Sequence, residues 1–249
     1  MNLRMLKLAR IRHAVKLEGK GSGMELFLNQ PLYGVALTVV VYYIALLLQG
    51  KWRWLNPLFI TSAVLILLVL STNTYESYQI GGQWLTFLLG PATVALGVPL
   101  YKHLRTIRKQ FKAIAIGVGI GSVCGLAGVW ILLTIFESSR EVLVSMLPKS
   151  VTAPVSVEIV RQLGGIPELG VVFTVLTGLL GSMIGPAILK RIGITHDIAI
   201  GTAIGTTAHG IGTARVIRDS EMQGSISSLA MSLALIITSI LAIPLYYLL

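Results

Sequence analysis

The sequence has few charged residues and almost no cysteine. Of its 249 residues only 12% are Asp, Glu, Lys or Arg, which is about half the usual share of a soluble domain. A water-soluble globule needs more polar surface than this, and a disordered chain needs far more charge. Cys124 is the only cysteine, so an intramolecular disulfide scaffold is excluded. These shortages leave an integral membrane protein.

Motifs of enzymes and cofactor sites are also missing from the sequence. It contains no Walker lysine loop, no His-Glu-x-x-His pair and no redox-cofactor motif. The four histidines are scattered and show no zinc-ligand spacing with the one cysteine. We therefore predict that the protein is not an enzyme and binds no cofactor or metal.

Long apolar runs, by contrast, fill most of the chain. Six runs of at least 21 residues contain no Asp, Glu, Lys, Arg or His, and a membrane-spanning helix needs roughly 20 such residues. Lipid offers no partners to the backbone, so these runs must be helical. We predict an all-α, polytopic membrane protein whose six spanning helices lie at 26–50, 54–75, 77–101, 113–136, 169–189 and 222–249.

The net charge of +10 is unevenly distributed. Residues 1–23 carry six basic groups and one acid and end in Gly-Ser-Gly. We interpret 1–23 as a basic N-terminal arm added by recombinant fusion, with a native arm as the alternative, and 24–249 as a single transmembrane domain. The five basic groups of 102–112 predict a cytoplasmic loop there, whereas the acids of 137–141 predict an external one.

Two further apolar segments, 141–165 and 195–215, are interrupted near their middle. The first contains Pro148 and Pro154, and the second contains Gly205, Gly210 and Gly212, each among several hydroxyls. Proline removes a backbone donor and glycine weakens a helix. Such segments are typical of the discontinuous or re-entrant helices that bind ligands in secondary transporters. Two surface loops at the level of the headgroups are the alternative.

The glycines give two weaker indications. Those at four-residue spacing, Gly117 and Gly121 among them, predict close packing of helices. Gly90 and Gly97 recur as Gly205 and Gly212 at an offset of 115 residues, which indicates an internal repeat.

Ionisable residues in the interrupted segments point to an anionic ligand. Lys149 and His209 have no acid close by in sequence, whereas Glu158 and Arg161 are spaced to pair with each other. A small carboxylate would satisfy both cations, with nearby hydroxyls reading its oxygens. The candidate substrate-binding residues are Lys149, Ser150, Thr152, Thr206, Thr207, His209, Arg215, Pro91 and Thr93.

Three of these candidates have a structural alternative. His209 could only hydrogen-bond a backbone carbonyl freed at Gly205 or Gly210, instead of coupling ligand binding to a proton. Arg215 could mark the cytoplasmic boundary of the membrane. Pro91 could be a tolerated kink within the run 77–101.

Several stretches resemble one family of membrane proteins. They read LNPL at 55–58, LGPATVAL at 89–96, PLYK at 99–102, LPKSVTAP at 147–154, GGIP at 164–167 and GTTAHGIGTAR at 205–215. Together these stretches resemble the LrgB/CidB family of antiholin-like murein-hydrolase regulators. They are also similar to the C-terminal half of the plastidial glycolate/glycerate transporter of plants.

The resemblance implies a multi-pass protein of the bacterial plasma membrane. It implies small carboxylates such as glycolate, glycerate, pyruvate or lactate as ligands, and a membrane partner of the LrgA/CidA family. We also expect a homo-oligomer in the lipid bilayer and no nucleic-acid partner.

Two functions fit these features. The first is a secondary transporter of small monocarboxylates, with proton coupling through His209. The alternative is a holin/antiholin component that sets membrane permeability and thereby murein hydrolase activity. Eight apolar segments with two polar breaks exceed what a simple pore requires, which favours the transporter.

Overall fold

A computed structural model describes residues 30–52, 56–72 and 74–248 of the chain. Every regular element in these ranges is an α-helix, which confirms the predicted all-α class. The basic arm at 1–23 lies outside the described residues, so its origin stays a prediction.

The described residues form eleven helices. They are α1 (Pro31–Lys51), α2 (Pro57–Thr72), α3 (Tyr75–Phe87), α4 (Leu89–Ala95), α5 (Gly97–Lys102), α6 (Leu104–Ile135), α7 (Arg140–Met146), α8 (Ala153–Gln162), α9 (Pro167–Arg191), α10 (Asp197–Val216) and α11 (Glu221–Leu248). The chain divides into two compact units, Met1–Gly90 and Pro91–Leu249. A single transmembrane domain over 24–249 stays a prediction.

Within the described residues, each of the six predicted spanning runs is largely helical. Five stretches are long and apolar enough to cross a membrane, namely Pro31–Lys51, Tyr75–Lys102, Leu104–Ile135, Pro167–Arg191 and Glu221–Ala242. The sixth run corresponds to α2, which has only 16 residues. The stretch Tyr75–Lys102 is interrupted at Leu88 and Leu96, on either side of the break expected at Pro91. The chain is therefore a polytopic membrane protein, as predicted.

In the first unit, α1 packs against α2 and α3. A Cβ atom at Gly34 would lie 2.6 Å from the Tyr78 carbonyl oxygen and 3.0 Å from Gly81 Cα. Only glycine at both positions lets the α1 and α3 backbones approach so closely. One turn further along α1, Thr38 Oγ1 lies 3.0 Å from the Tyr78 hydroxyl.

The second unit is organised around α11, which packs against α6 and α10. Its core brings Ile114 and Val118 of α6 together with Ile226 and Ala230 of α11. Each of these side chains is at most 1% exposed. These helices form the frame that holds the interrupted segments.

The glycines of the second unit confirm the predicted close packing in most places, although Gly125, which continues the spacing of Gly117 and Gly121, meets nothing within 4 Å. A Cβ atom at Gly121 of α6 would lie 3.0 Å from Thr206 Cγ2 of α10, and one at Gly185 of α9 would lie 2.6 Å from Ile204 Cδ1. The offset of 115 residues pairs Gly90 of α4 with Gly205 of α10, two helices of unlike length. An internal repeat stays a prediction.

Candidate functional site

Helix α10 reverses direction at His209. A Cβ atom at Gly212 would lie 2.7 Å from Ile204 Cγ2 and 3.4 Å from the Ile204 carbonyl oxygen. In a straight helix residues eight apart are separated by about 12 Å. The backbone of His209 is non-helical, with φ 41° and ψ −139°. Residues Asp197–Val216 therefore form a re-entrant hairpin, called hairpin B below, with His209 at its tip.

The two ends of hairpin B meet beside the start of α11. Ser220 Oγ donates a 2.8 Å hydrogen bond to one carboxylate oxygen of Asp197, and Gln223 Nε2 donates a 2.8 Å bond to the other. These two bonds hold the pKa of Asp197 below its usual value. Asp197 opens the first leg and Ser220 follows the second, so both legs begin on one side of the protein. The first leg reaches a depth of about 18 Å, roughly half of a hydrocarbon core.

Residue Ser227 of α11 contacts both legs of hairpin B. Its backbone touches Gly205 of the first leg so closely that no side chain fits there. Its hydroxyl lies 2.7 Å from Thr213 Oγ1 of the second leg. Gly205 and Thr213 each lie four residues from the tip, so α11 holds the two legs in register.

Helices α7 and α8 form a second hairpin, called hairpin A below, with residues 147–152 at its tip. The backbone N–H of Ile166, just after α8, donates a 2.8 Å hydrogen bond to Ser145 Oγ of α7. Val144 of α7 also packs with Leu163, at the end of α8. The end of α7 therefore lies beside the end of α8, next to the start of α9 at Pro167, and residues 147–152 lead from there to the start of α8.

Helix α9 connects the two hairpins and contacts both. Hairpin A precedes its N-terminal end and hairpin B follows its C-terminal end, so they enter from opposite sides. A Cβ atom at Gly170 would lie 3.2 Å from Ser156 Oγ of hairpin A. Two turns along, a Cβ atom at Gly178 would lie 2.6 Å from the His209 ring of hairpin B. Because α8 runs antiparallel to α9, its residues before Ser156 lie further along α9, so the two tips converge.

The tip of hairpin A carries three of the predicted site residues. Lys149, Ser150 and Thr152 are all half-buried. Among the described residues, the Lys149 ammonium reaches only the neighbouring Ser150 hydroxyl, at 3.4 Å. Thr152 caps α8 without a side-chain hydrogen bond. A half-buried ammonium with one weak partner can accept an anion at low desolvation cost.

At the tip of hairpin B, His209 is 4% exposed. Its Nε2 atom lies 3.0 Å from the carbonyl oxygen of Thr174 in α9. This is a backbone carbonyl, as the structural alternative required, but it belongs to α9 instead of to the glycines of hairpin B. The imidazole therefore has a defined partner that the sequence did not indicate.

The other candidates of hairpin B point away from its tip. Thr206 and Thr207 line a cavity of ≈ 650 Å³ between α6 and α10, together with Gln110 and His196. Both hydroxyls donate to backbone oxygens one turn earlier, at 2.7 and 2.8 Å. They therefore lie on a different surface of the hairpin from His209.

The remaining candidates are exposed. Arg215 lies near the outer end of the second leg and pairs with Asp219 at 2.7 Å. Pro91 and Thr93 are exposed on α4. Glu158 and Arg161 form the predicted pair, at 3.4 Å. A direct contact between Lys149 and His209 across the two tips stays a prediction.

Sequence reasoning missed the residues of α9 that face the tips. Thr174 accepts the bond from His209, and Gly170 and Gly178 give the hairpins room to approach. Their spacing of four residues places them on one face of α9, a signal that was present in the sequence.

Comparisons with known proteins bear on this fold. The LrgB-like family matches residues 38–248 of the chain. The protein is 38% identical over 205 residues to the uncharacterized protein YwbG of Bacillus subtilis, which covers 81% of this chain and 91% of that protein. It is 35% identical over 215 residues to the Holin-like protein CidB of Staphylococcus epidermidis, covering 85% and 94% respectively. The CidB of Staphylococcus aureus matches to the same extent. No solved structure matches the chain.

Proposed function

We propose, because the chain belongs to the LrgB-like family, that it is a holin-like component controlling the permeability of a bacterial plasma membrane to small solutes. The observation that carries this proposal is its 35% identity to two Holin-like CidB proteins over almost their whole length. Those names favour this function over the monocarboxylate transporter preferred from the sequence alone.

The geometry of the hairpins supports a route for solutes through the second unit. Hairpins A and B bring polar groups to the middle of an apolar bundle, where polar side chains are costly unless they serve a pathway. Lys149 supplies positive charge at one tip, which favours small anions over cations. An LrgA/CidA-type partner and assembly of several copies would complete such a route.

One observation favours a second candidate, the secondary transporter of small monocarboxylates. Two hairpins that enter from opposite sides and converge on one helix are typical of carriers that alternate access to a central site. Lys149 and the start of α8 would bind a carboxylate such as glycolate, glycerate, pyruvate or lactate. His209 would couple this binding to a proton through its second ring nitrogen.

Flux through proteoliposomes separates the two candidates. We expect a holin-like component to release trapped dyes and small anions alike, with rates that rise linearly with concentration. A carrier would retain the dye and show saturable counterflow of labelled carboxylate. Both assays are repeated with an LrgA/CidA-type partner present. If these proteoliposomes then release no more dye and exchange no more carboxylate than empty liposomes, both functions are contradicted.

A matched pair of charge variants locates the route. Lys149→Met should lower anion flux at least tenfold in either case, since it removes the cation at the tip. Arg161→Met removes a cation of the same chain that is exposed and paired with Glu158, and should leave flux unchanged. Equal flux in the two variants would place the route elsewhere.

A further inference from the structure

Three oxygen atoms where hairpin A packs on α9 lack a hydrogen-bond partner among the described residues. Two are the side-chain hydroxyls of Ser156 and Thr174, whose residues are both 0% exposed. The third is the backbone carbonyl oxygen of Ser145. Its usual donor, the Lys149 N–H, bonds instead to Met146 at 3.1 Å, and Pro148 has no N–H to offer.

Two of these oxygens lie next to Gly170 of α9, and the third belongs to the next turn of that helix. Ser156 Oγ lies 3.2 Å, and the Ser145 carbonyl oxygen 3.6 Å, from the position that a Cβ atom of Gly170 would take. Thr174 follows Gly170 by one turn, so its side chain begins about 6 Å further along the same face. The three groups thus come from α7, α8 and α9 and lie along the face of α9 that carries Gly170 and Thr174.

We propose that these three oxygens form a binding site for one partly dehydrated Na⁺ ion. All three groups offer oxygen lone pairs, which are the ligands that hard cations take. A carbonyl freed where a membrane helix ends is a typical Na⁺ ligand. Buried hydroxyls are costly without a partner, and a bound cation would satisfy all three groups at once.

The position of Lys149 couples Na⁺ binding to anion binding. Lys149 lies in the segment that joins α7 to α8, the two helices that supply two of the three oxygens, so its positive charge opposes the binding of Na⁺. An anion bound at Lys149 would cancel this repulsion and raise the Na⁺ affinity, and Na⁺ would raise the anion affinity by the same factor. This coupling rests on the transporter candidate, whereas the Na⁺ site itself rests on neither proposed function.

The site is tested by thermal unfolding of the purified full-length protein at constant ionic strength, with Na⁺ replaced by choline. We expect Na⁺ at about ten times its dissociation constant to raise the unfolding midpoint by roughly 3–6 °C, in a saturable manner. The same midpoint in both salts would overturn the proposal. Because no flux is measured, failure here is distinguishable from failure of the proposed function.

Two variants and a matched control assign the response to these atoms. Ser156→Ala should abolish the Na⁺ response yet raise the midpoint in choline, because it removes a buried hydroxyl that is unpaired without the ion. Thr174→Val should abolish the response, and Thr174→Ser should keep it. Ser122→Ala removes another buried hydroxyl without a partner among the described residues, on α6, and should leave the response intact. A response that survives Ser156→Ala, or disappears in Ser122→Ala, would overturn the assignment.

Discussion

The Nε2 atom of His209 lies 3.0 Å from the carbonyl oxygen of Thr174, and this contact joins the tip of hairpin B to α9. The backbone of His209 has a φ of 41°, a conformation that costs a non-glycine residue about 1–3 kcal/mol. Packing of both legs against α11 holds the chain in this turn, so the strain is localised where the polar tip is formed.

Replacing His209 distinguishes a turn from a straight helix. Both His209→Ala and His209→Gly lose the bond to Thr174, but only glycine relieves the positive φ. We expect the glycine variant to be more stable than the alanine variant by about 1 kcal/mol, measured by thermal unfolding in detergent. A straight helix predicts the opposite order by a similar amount, because alanine is the better helix former.

Glycine substitutions test how hairpin B is packed. Gly205→Ala would place a methyl group against the backbone of Ser227, which cannot move aside, and should destabilise the protein by at least about 2 kcal/mol. Gly119→Ala, on α6, meets nothing within 4 Å and should instead stabilise by up to about 1 kcal/mol. Equal midpoints for the two variants in a thermal unfolding assay would contradict the contact.

The end of α6 offers a stabilising change. Glu137 has a φ of 49° and donates its N–H to Thr134, while Ser138 donates to Leu133. This is the arrangement in which helices usually place glycine. We expect Glu137→Gly to stabilise the protein by about 1 kcal/mol, and Gly193→Ala, at φ 83° after α9, to destabilise it by a similar amount. Unfolding midpoints that move in the same direction for both variants would refute this.

The contacts of Asp197 make the stability of the protein depend on pH. Hydrogen bonds from Gln223 and Ser220 lower its pKa below 3.8, so the ionised form is favoured in the folded state. The resulting stability is present above pH 3.8 and is lost as the pH falls through the lowered pKa. Since Asp197 is partly exposed, we expect its ionised form to contribute about 0.5 kcal/mol to the free energy of unfolding. The stability difference between wild type and Asp197→Asn should shrink below this pH; a constant difference would contradict it.

Much of the fold could be predicted because apolar length and lipid chemistry leave only helices. The breaks were also visible, since Pro148 removes a backbone donor and the glycines of 205–212 weaken a helix. The reversal at His209 was not predictable from this pattern, because Gly210 next to it is the residue that usually adopts positive φ. As a result Thr206 and His209, which share a face in a straight helix, point to different neighbours.

The residues that other helices contribute to the site could not be predicted from the sequence either. Thr174 and Ser156 look like ordinary small residues of two apolar helices, and their importance comes from what packs against them. The sequence pattern does not indicate that α9 lies beside the tips of both hairpins. The sequence therefore indicated the polar residues of the site, but not how they are distributed around it.

The central claim is that residues 197–216 enter and leave on the same side of the protein. The most direct measurement is disulfide formation between Asp197→Cys and Ser220→Cys in a Cys124→Ser background, detected by mass tagging of free thiols. The two side chains are hydrogen-bonded at 2.8 Å, so rapid oxidation is expected, and none for the control pair Asp197→Cys and Gly210→Cys. If α10 instead ran straight through the membrane, its ends would lie about 30 Å apart. Both thiols of the first pair would then stay reduced, which would contradict the re-entrant hairpin.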